Sequence, residues 1–371
     1  MITADYLPDN IAHKYSDKYV NVSILDRESV LKVAQDEKID GIMSFGVDPG
    51  VVTAAYFAEK MGLAYPPFAS CEILQNKDKF RDFLAANGFN CPFHKGYSTK
   101  ADALSDATSF PYPVIVKPVD SAGSKGVTRV DSVEGLSAAL EIAFEASHNG
   151  NVIIEQFLEK VGSSSDTDSF TIDNELVFCS FNCQKFDSNS PNPYTPAAYA
   201  WPSDMPDAVQ KELRSELQRL MKLLEMGSWI YNIETRLATD GKPYIMEVSP
   251  RGGGNRLSEV LKMASGQDLI ANNIRAALRM PLMPMEDPVY NGVWSEVIVH
   301  SNMSGKYNGL KIADAIRPYI VQKDMWVKVG DNVEAFTGAN QTIGTLVLRF
   351  DSQEEANWYL ADTSWLDVMV S

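Results

Sequence analysis

The sequence predicts an α/β fold at its N-terminus that passes into α+β segments. Three observations carry this. Short apolar runs alternate with helical patterns over residues 1 to 75, as in a parallel sheet built from βα units. A long hairpin with a TDGK turn spans residues 228 to 248. From residue 286 the pattern changes to short strands and one late helix. These shifts divide the chain into an N-terminal α/β domain (1–75), a central domain (76–285) with a smaller subdomain at about 113–185, and a small C-terminal α+β domain (286–371).

The elements follow in order. YVNVSIL (19–25) reads as a strand, DRESVLKVAQDEKI (26–39) as a helix capped by Asp26, and GIMSF (41–45) as a second strand. GVDPG then opens a helix and is read either as an anion site at a helix N-terminus or as a plain βα turn. NKDKFRDFLAANG is a compact helix with Phe80, Phe83 and Leu84 as its apolar stripe. VIVKP and NVIIEQFL are buried strands around the helix 131–147. GSSSDTDS reads as a polar turn, FTIDNELVFCSFNCQKF as strands, and residues 188 to 206 as a long loop. Residues 207 to 226 form a long helix. In the tail WSEVIVH, MWVKV and TIGTLVLRF read as strands and DSQEEANWYLAD as a helix.

Composition excludes several functions. A formal charge of −16 repels nucleic acid and anionic lipid. No run reaches the ~18 apolar residues of a membrane helix, and MITADYLPDN lacks a signal-peptide pattern. A cytoplasmic location is expected. The four histidines are scattered, which disfavours a His-based zinc site or triad. The four cysteines form no CxxC pair, and Cys179 and Cys183 are spaced to share one strand face as reduced core thiols.

What remains is a set of polyphosphate-binding parts. GxxxxGK[ST] and GxGxxG are both absent. Lys117 ends a buried strand, where a cation is costly without an anion. SAGSKGV follows, with Ser121, Gly123, Ser124 and Gly126 offering hydroxyls, N–H groups and close backbone approach; an ordinary hairpin turn is the plainer reading. Glu155, Gln156, Phe157 and Leu158 form an extended segment with apolar walls that can take a base. Across the TDGK hairpin Glu234 and Glu247 can face one side, and Ser249 shares a face with Glu247. Facing acids repel unless a cation joins them, and oxygen-only ligands suit magnesium, with manganese as a substitute. Arg251 continues the row toward a developing acyl-phosphate charge.

Taken together, Lys77 in NKDKF, Lys117 in VIVKP, the SAGSKGV loop, Glu155 in IIEQFL, and Glu234, Glu247, Ser249 and Arg251 around MEVSPRGGGN resemble the ATP-grasp superfamily. The likeness is to its carbamoyl-phosphate-synthase-like and carboxylate–amine ligase branches, over about residues 1 to 285. The resemblance implies ATP held between two α+β halves, with the glycine hairpin as a lid. Lys77 and Lys117 would hold phosphates, residues 155 to 158 the adenine, and Glu234, Glu247 and Ser249 the magnesium. Arg251 would steady the acyl phosphate, and Lys185 would face the γ-phosphate. Ser164, or Asp166 in its place, would meet the ribose. The resemblance also implies a first domain that begins with a strand, a glycine turn and a helix. Against that pattern this chain reads as one βα unit short.

The implied activity is an ATP-dependent, ADP-forming ligase. A carboxylate attacks the γ-phosphate, and an amine or similar nucleophile displaces phosphate from the acyl phosphate. Two other readings stay open: a nucleotide-binding regulatory protein without turnover, and a bicarbonate-activating, carboxylase-like enzyme. Small-molecule carboxylate and amine substrates are the expected partners, with no nucleic acid or membrane, and homodimerisation is implied by the resemblance alone.

Overall fold

The computed structural model describes residues 1–121 and 125–371. A parallel pair of strands, Ile2–Asp5 and Lys18–Asn21, opens the chain. Helices Arg27–Asp36 and Pro49–Met61 follow and pack on each other through Val30, Ala34, Ala54 and Phe57. GIMSF does not form the expected strand and has no ladder partner among the described residues. It runs instead toward the 252 loop, where the Gly46 N–H donates to the Gly252 carbonyl at 3.1 Å.

Two antiparallel four-stranded sheets frame the middle of the molecule. In the first the order is His94–Tyr97, Val152–Gln156, Val114–Pro118, Thr128–Val130. Strand alternation sends Val114, Val116, Val152 and Ile154 to one side, where helix Val133–Ala146 covers them with Leu136, Leu140 and Ala143. Ile115, Lys117, Ile153 and Glu155 face the other way. In the second, the hairpin sheet, the order is Pro243–Ser249, Ile230–Leu237, Ser165–Ile172, Glu175–Cys179. Helix Asp207–Leu223 buries Leu213, Leu217 and Leu220 against its core. Helix Lys77–Ala86 lies between the two sheets, with Phe80 and Leu84 in the core.

A five-stranded antiparallel sheet follows the order Ile320–Met325, Gly344–Phe350, Val293–Val299, Pro196–Trp201, Cys183–Phe186. It joins strands from both sides of residue 285, so pairing crosses the boundary drawn from composition. Helix Gln353–Ala361 covers part of it.

Three further sequence readings are corrected. The polar turn GSSSDTDS is largely strand, because Ser165–Ile172 pairs on both edges and the side chains of Ser165, Asp166, Thr167 and Asp168 find hydrogen-bond partners inside. The 188–206 loop contains the strand Pro196–Trp201, whose alternating side chains pack on both faces of its sheet. Cys179 and Cys183 lie on two different strands, separated by Ser180–Asn182, and all four cysteines are free thiols. Among the described residues no helix is long and apolar enough to cross a membrane.

Candidate active site

Lys77 starts its helix with its N–H bonded to the Val119 carbonyl, which draws the helix end to the strand that carries Lys117. Its Nζ donates to the Ser121 carbonyl at 2.8 Å and lies 3.8 Å from Glu247 Oε1. Lys117 Nζ is 2.8 Å from Glu155 Oε2, and Arg81 Nε is 3.0 Å from Glu155 Oε1. Arg81 also donates to the Met246 carbonyl at 2.8 Å, so one buried guanidinium ties the helix to both sheets. Burial pushes the Glu155 carboxyl up, and the Arg81 and Lys117 charges pull it further down, to about 2. Burial, with Arg81 and Lys77 nearby, holds the Lys117 ammonium below its ordinary range despite Glu155. Glu155 is therefore the anchor of the cationic side of the site. The neighbouring N–H groups of Gln156 and Phe157 donate to the carbonyls of Phe93 and Pro113, both at 2.9 Å, so those groups are already bonded. The Phe157 ring lies under the Arg129 guanidinium, 4.3 Å away, and the Leu158 carbonyl accepts from Arg236 at 3.0 Å.

The acids converge by register. Glu234 sits directly across from Glu247 on one side and from Asp166 on the other. Burial pushes the Glu234 carboxyl up, Arg236 opposes the shift and Glu247 adds to it. The Lys117 and Arg81 charges also act on Glu234, so lysine and both acids share one electrostatic neighbourhood. Burial and Glu234 push Asp166 up to about 7. Among the described residues no group of three or more His, Cys, Asp or Glu has metal-binding spacing. Two carboxylates plus phosphate oxygens is how magnesium is commonly held, and Glu234 with Glu247 fits that donor set. The Ser249 hydroxyl is filled by protein partners: it donates to Asp48 Oδ1 at 2.5 Å and accepts from Gln75 Nε2 at 2.8 Å.

Arg251 meets an acid that the sequence reading placed elsewhere. Its Nε and Nη2 donate to the two oxygens of Asp48, each at 2.8 Å. The helix N-terminus after GVDPG thus presents its own carboxylate, and the anion-site reading of that loop is replaced by an Asp48–Arg251 clamp. Two glycines let the Arg251 loop pass. A Cβ on Gly252 would stand 2.2 Å from the Phe45 ring, and one on Gly253 would meet Asn232 and Asp168 within 3 Å. Asp168 accepts from the Gly253 N–H at 2.7 Å and from Ser258, which holds the loop under the acids.

A cleft of about 460 Å³ opens between these groups and the N-terminal helices, lined by Asp48, Gln75, Lys77, Asp120, Ser121 and Glu247.

Residues 91–274 match the family described as D-ala D-ala ligase C-terminus. The carbamoyl phosphate synthase large chain of Thermotoga petrophila is 26% identical over 226 residues, 60% of this chain and 20% of its own length. The chain therefore spans about a fifth of that relative. The crystal structure of an L-amino acid ligase from Bacillus licheniformis aligns with TM-score 0.78 at 21% identity, over 96% of this chain and 88% of that one. Phosphoribosylglycinamide synthetase from Anaerococcus prevotii aligns with TM-score 0.76 at 17% identity, over 100% and 93%.

Over residues 91–274 the chain resembles the ATP-grasp carboxylate–amine ligases.

The expected residues fall into three groups. Lys77, Ser121 and Glu247 line the cleft, with Ser249 and Arg251 one contact away through Asp48. Lys117 and Glu155 form a buried ion pair, and Glu234 stands across from Glu247 on the hairpin sheet. Lys185 and Ser164 do not line the cleft. Lys185 Nζ donates to Ser163 Oγ at 3.0 Å and lies 4.0 Å from Asp204. Ser164 is fully buried and accepts from Arg236 Nε at 3.2 Å. Gly123 and Ser124 lie outside the described residues.

Arg81, Asp48 and Asp168 were missed. Only Arg81 left a signal: it interrupts the apolar side of its helix, beside Phe80 and Leu84, and a buried arginine demands an acid.

Gly126 has a positive φ of 73°, and a Cβ there would stand 2.6 Å from Ala146 Cβ and 2.9 Å from Pro118 Cγ. Gly126→Ala is expected to destabilise the 94–156 sheet by about 2 kcal/mol, from left-handed strain plus overpacking. Unchanged thermal denaturation in the variant would show that the turn tolerates a side chain.

Proposed function

We propose that the protein is an ATP-dependent, ADP-forming ligase that activates a carboxylate as an acyl phosphate for attack by an amine or similar nucleophile. One observation carries the reading. Lys77 bridges the Ser121 carbonyl and Glu247 at the mouth of a cleft, while Glu247 faces Glu234 in register. A cation and two acids on one wall suit a magnesium–polyphosphate, and the match to carboxylate–amine ligases supports the same chemistry.

Lys77 and Lys117 would neutralise phosphate charge. Lys117 is pre-positioned by Glu155, so its ammonium needs no reorganisation when an anion arrives. Glu234 and Glu247 would hold magnesium, which screens the γ-phosphate and stabilises charge on the oxygens in transfer. Arg251 would stabilise the acyl phosphate, and Asp48 fixes the plane of its guanidinium. No described histidine is needed for activation, because in-line phosphoryl transfer relies on position and charge.

The test is product analysis. With magnesium–ATP and a panel of carboxylates with amines, ADP and phosphate should appear only when both substrates fit. AMP and pyrophosphate as products would overturn the assignment.

A further inference from the structure

The five-stranded sheet carries a row that the ligase reading leaves unexplained. Tyr199 is directly across from Gln184 on one neighbouring strand and from Glu296 on the other. Cross-strand partners share a face, so the three side chains stand side by side. All are buried, and Glu296 is 0% exposed. Tyr199 Oη and Gln184 Nε2 both donate to Asp166 Oδ2, each at 3.3 Å. Asp166 is in turn the cross-strand partner of Glu234. The row is thus one side chain removed from the proposed metal acids.

Three atoms of this row have no hydrogen-bond partner among the described residues: both oxygens of Glu296 and Oε1 of Gln184. All three are acceptors. Buried polar atoms are normally paired, and a buried carboxylate is the most costly to leave alone. Burial pushes the Glu296 carboxyl well above the usual range. The Arg256 charge opposes that shift, but its guanidinium is turned to Glu259, Thr345 and Gln322. The row therefore lacks a donor, and a positively charged one is complementary. The side chains are closely packed, so the entering group must be compact. A primary ammonium is compact, cationic and donates three hydrogen bonds.

We propose that Glu296, supported by Gln184 and Tyr199, binds the ammonium group of an amine-bearing substrate beside the phosphoryl-transfer site. This rests on the ligase reading and names the residues that would hold its amine substrate. The Glu296 carboxylate accepts the ammonium N–H groups in charge-assisted bonds, and Gln184 Oε1 is the neutral acceptor across the Tyr199 ring.

The experiment is a thermal-shift and calorimetric screen of the full chain with magnesium and a non-hydrolysable ATP analogue. The probes are the common L-amino acids and their N-acetyl derivatives, against wild type and Glu296→Gln. At least one free amine should stabilise the wild type, its acetylated form should not, and E296Q should bind that amine at least tenfold more weakly. The ATP analogue should shift both proteins equally. E296Q is close to isosteric and should fold; Gln184→Met provides an independent loss of acceptor with the same expected direction. The proposal is overturned if E296Q and Gln184→Met bind the amine like wild type, if acetylation makes no difference, or if no amine binds while the ATP analogue does. If the analogue itself fails to bind the wild type, the ligase reading falls, and this assignment with it.

Discussion

Glu155→Gln should destabilise the protein by about 3–5 kcal/mol in denaturant unfolding, the range seen when one partner of a buried ionic cluster is removed. The variant keeps the shape of the side chain but leaves Arg81 and Lys117 buried without their anion. The effect should depend on pH in a defined direction. The Glu155 carboxyl is held at about 2 in the folded protein, against 4.5 ordinarily. Its contribution is thus fully present above pH ~4.5 and is lost as pH falls from there toward 2, because the unfolded chain takes up the proton first. Wild type and E155Q should converge in stability over that window. A double variant, Glu155→Gln with Lys117→Met, should recover part of the loss, since one stranded charge is gone. Stability in E155Q equal to wild type at pH 7 would show that the cluster is hydrated and contributes little.

Glu247→Gln is expected to lower turnover by about 10²–10³, the loss typical of removing one charged group that stabilises a transition state. It should leave the fold intact. The Glu247 side chain is 45% exposed and its contact with Lys77 is long, 3.8 Å, so its loss should move stability by no more than about 0.5 kcal/mol. Turnover measured as ADP release, alongside a melting curve, separates the two effects. Wild-type activity in this variant would remove the metal assignment and leave Lys77 as the main partner of the polyphosphate.

Much of the site was legible because its residues obey local rules. The Glu234–Glu247 pairing follows from the TDGK turn and the two-residue period of strands, and the register confirms it despite an irregularity after Glu234. Gly126 was legible for a similar reason: a turn into the left-handed region needs glycine. Asp48 was not, because its role depends on Arg251, 203 positions later in the chain. Asp168 was hidden by its own polarity, and Asp166 was read only as a turn residue that could meet a ribose. A run of Ser, Thr and Asp looks like a turn until buried partners such as Asn182, Asn232 and Ser258 satisfy it inside a sheet. The GIMSF run misled in the opposite sense, since an apolar stretch can be covered by helices and loops without joining a ladder.

By itself, the sequence determined the alternation of elements, the turn that sets two acids face to face, and the glycines that admit a close backbone. These are short-range consequences of backbone sterics and side-chain period. The tertiary structure alone decided which charges meet: Arg81 with Glu155, Asp48 with Arg251, and the Gln184–Tyr199–Glu296 row. Such meetings depend on how sheets and helices from distant parts of the chain pack, and no local periodicity encodes that geometry.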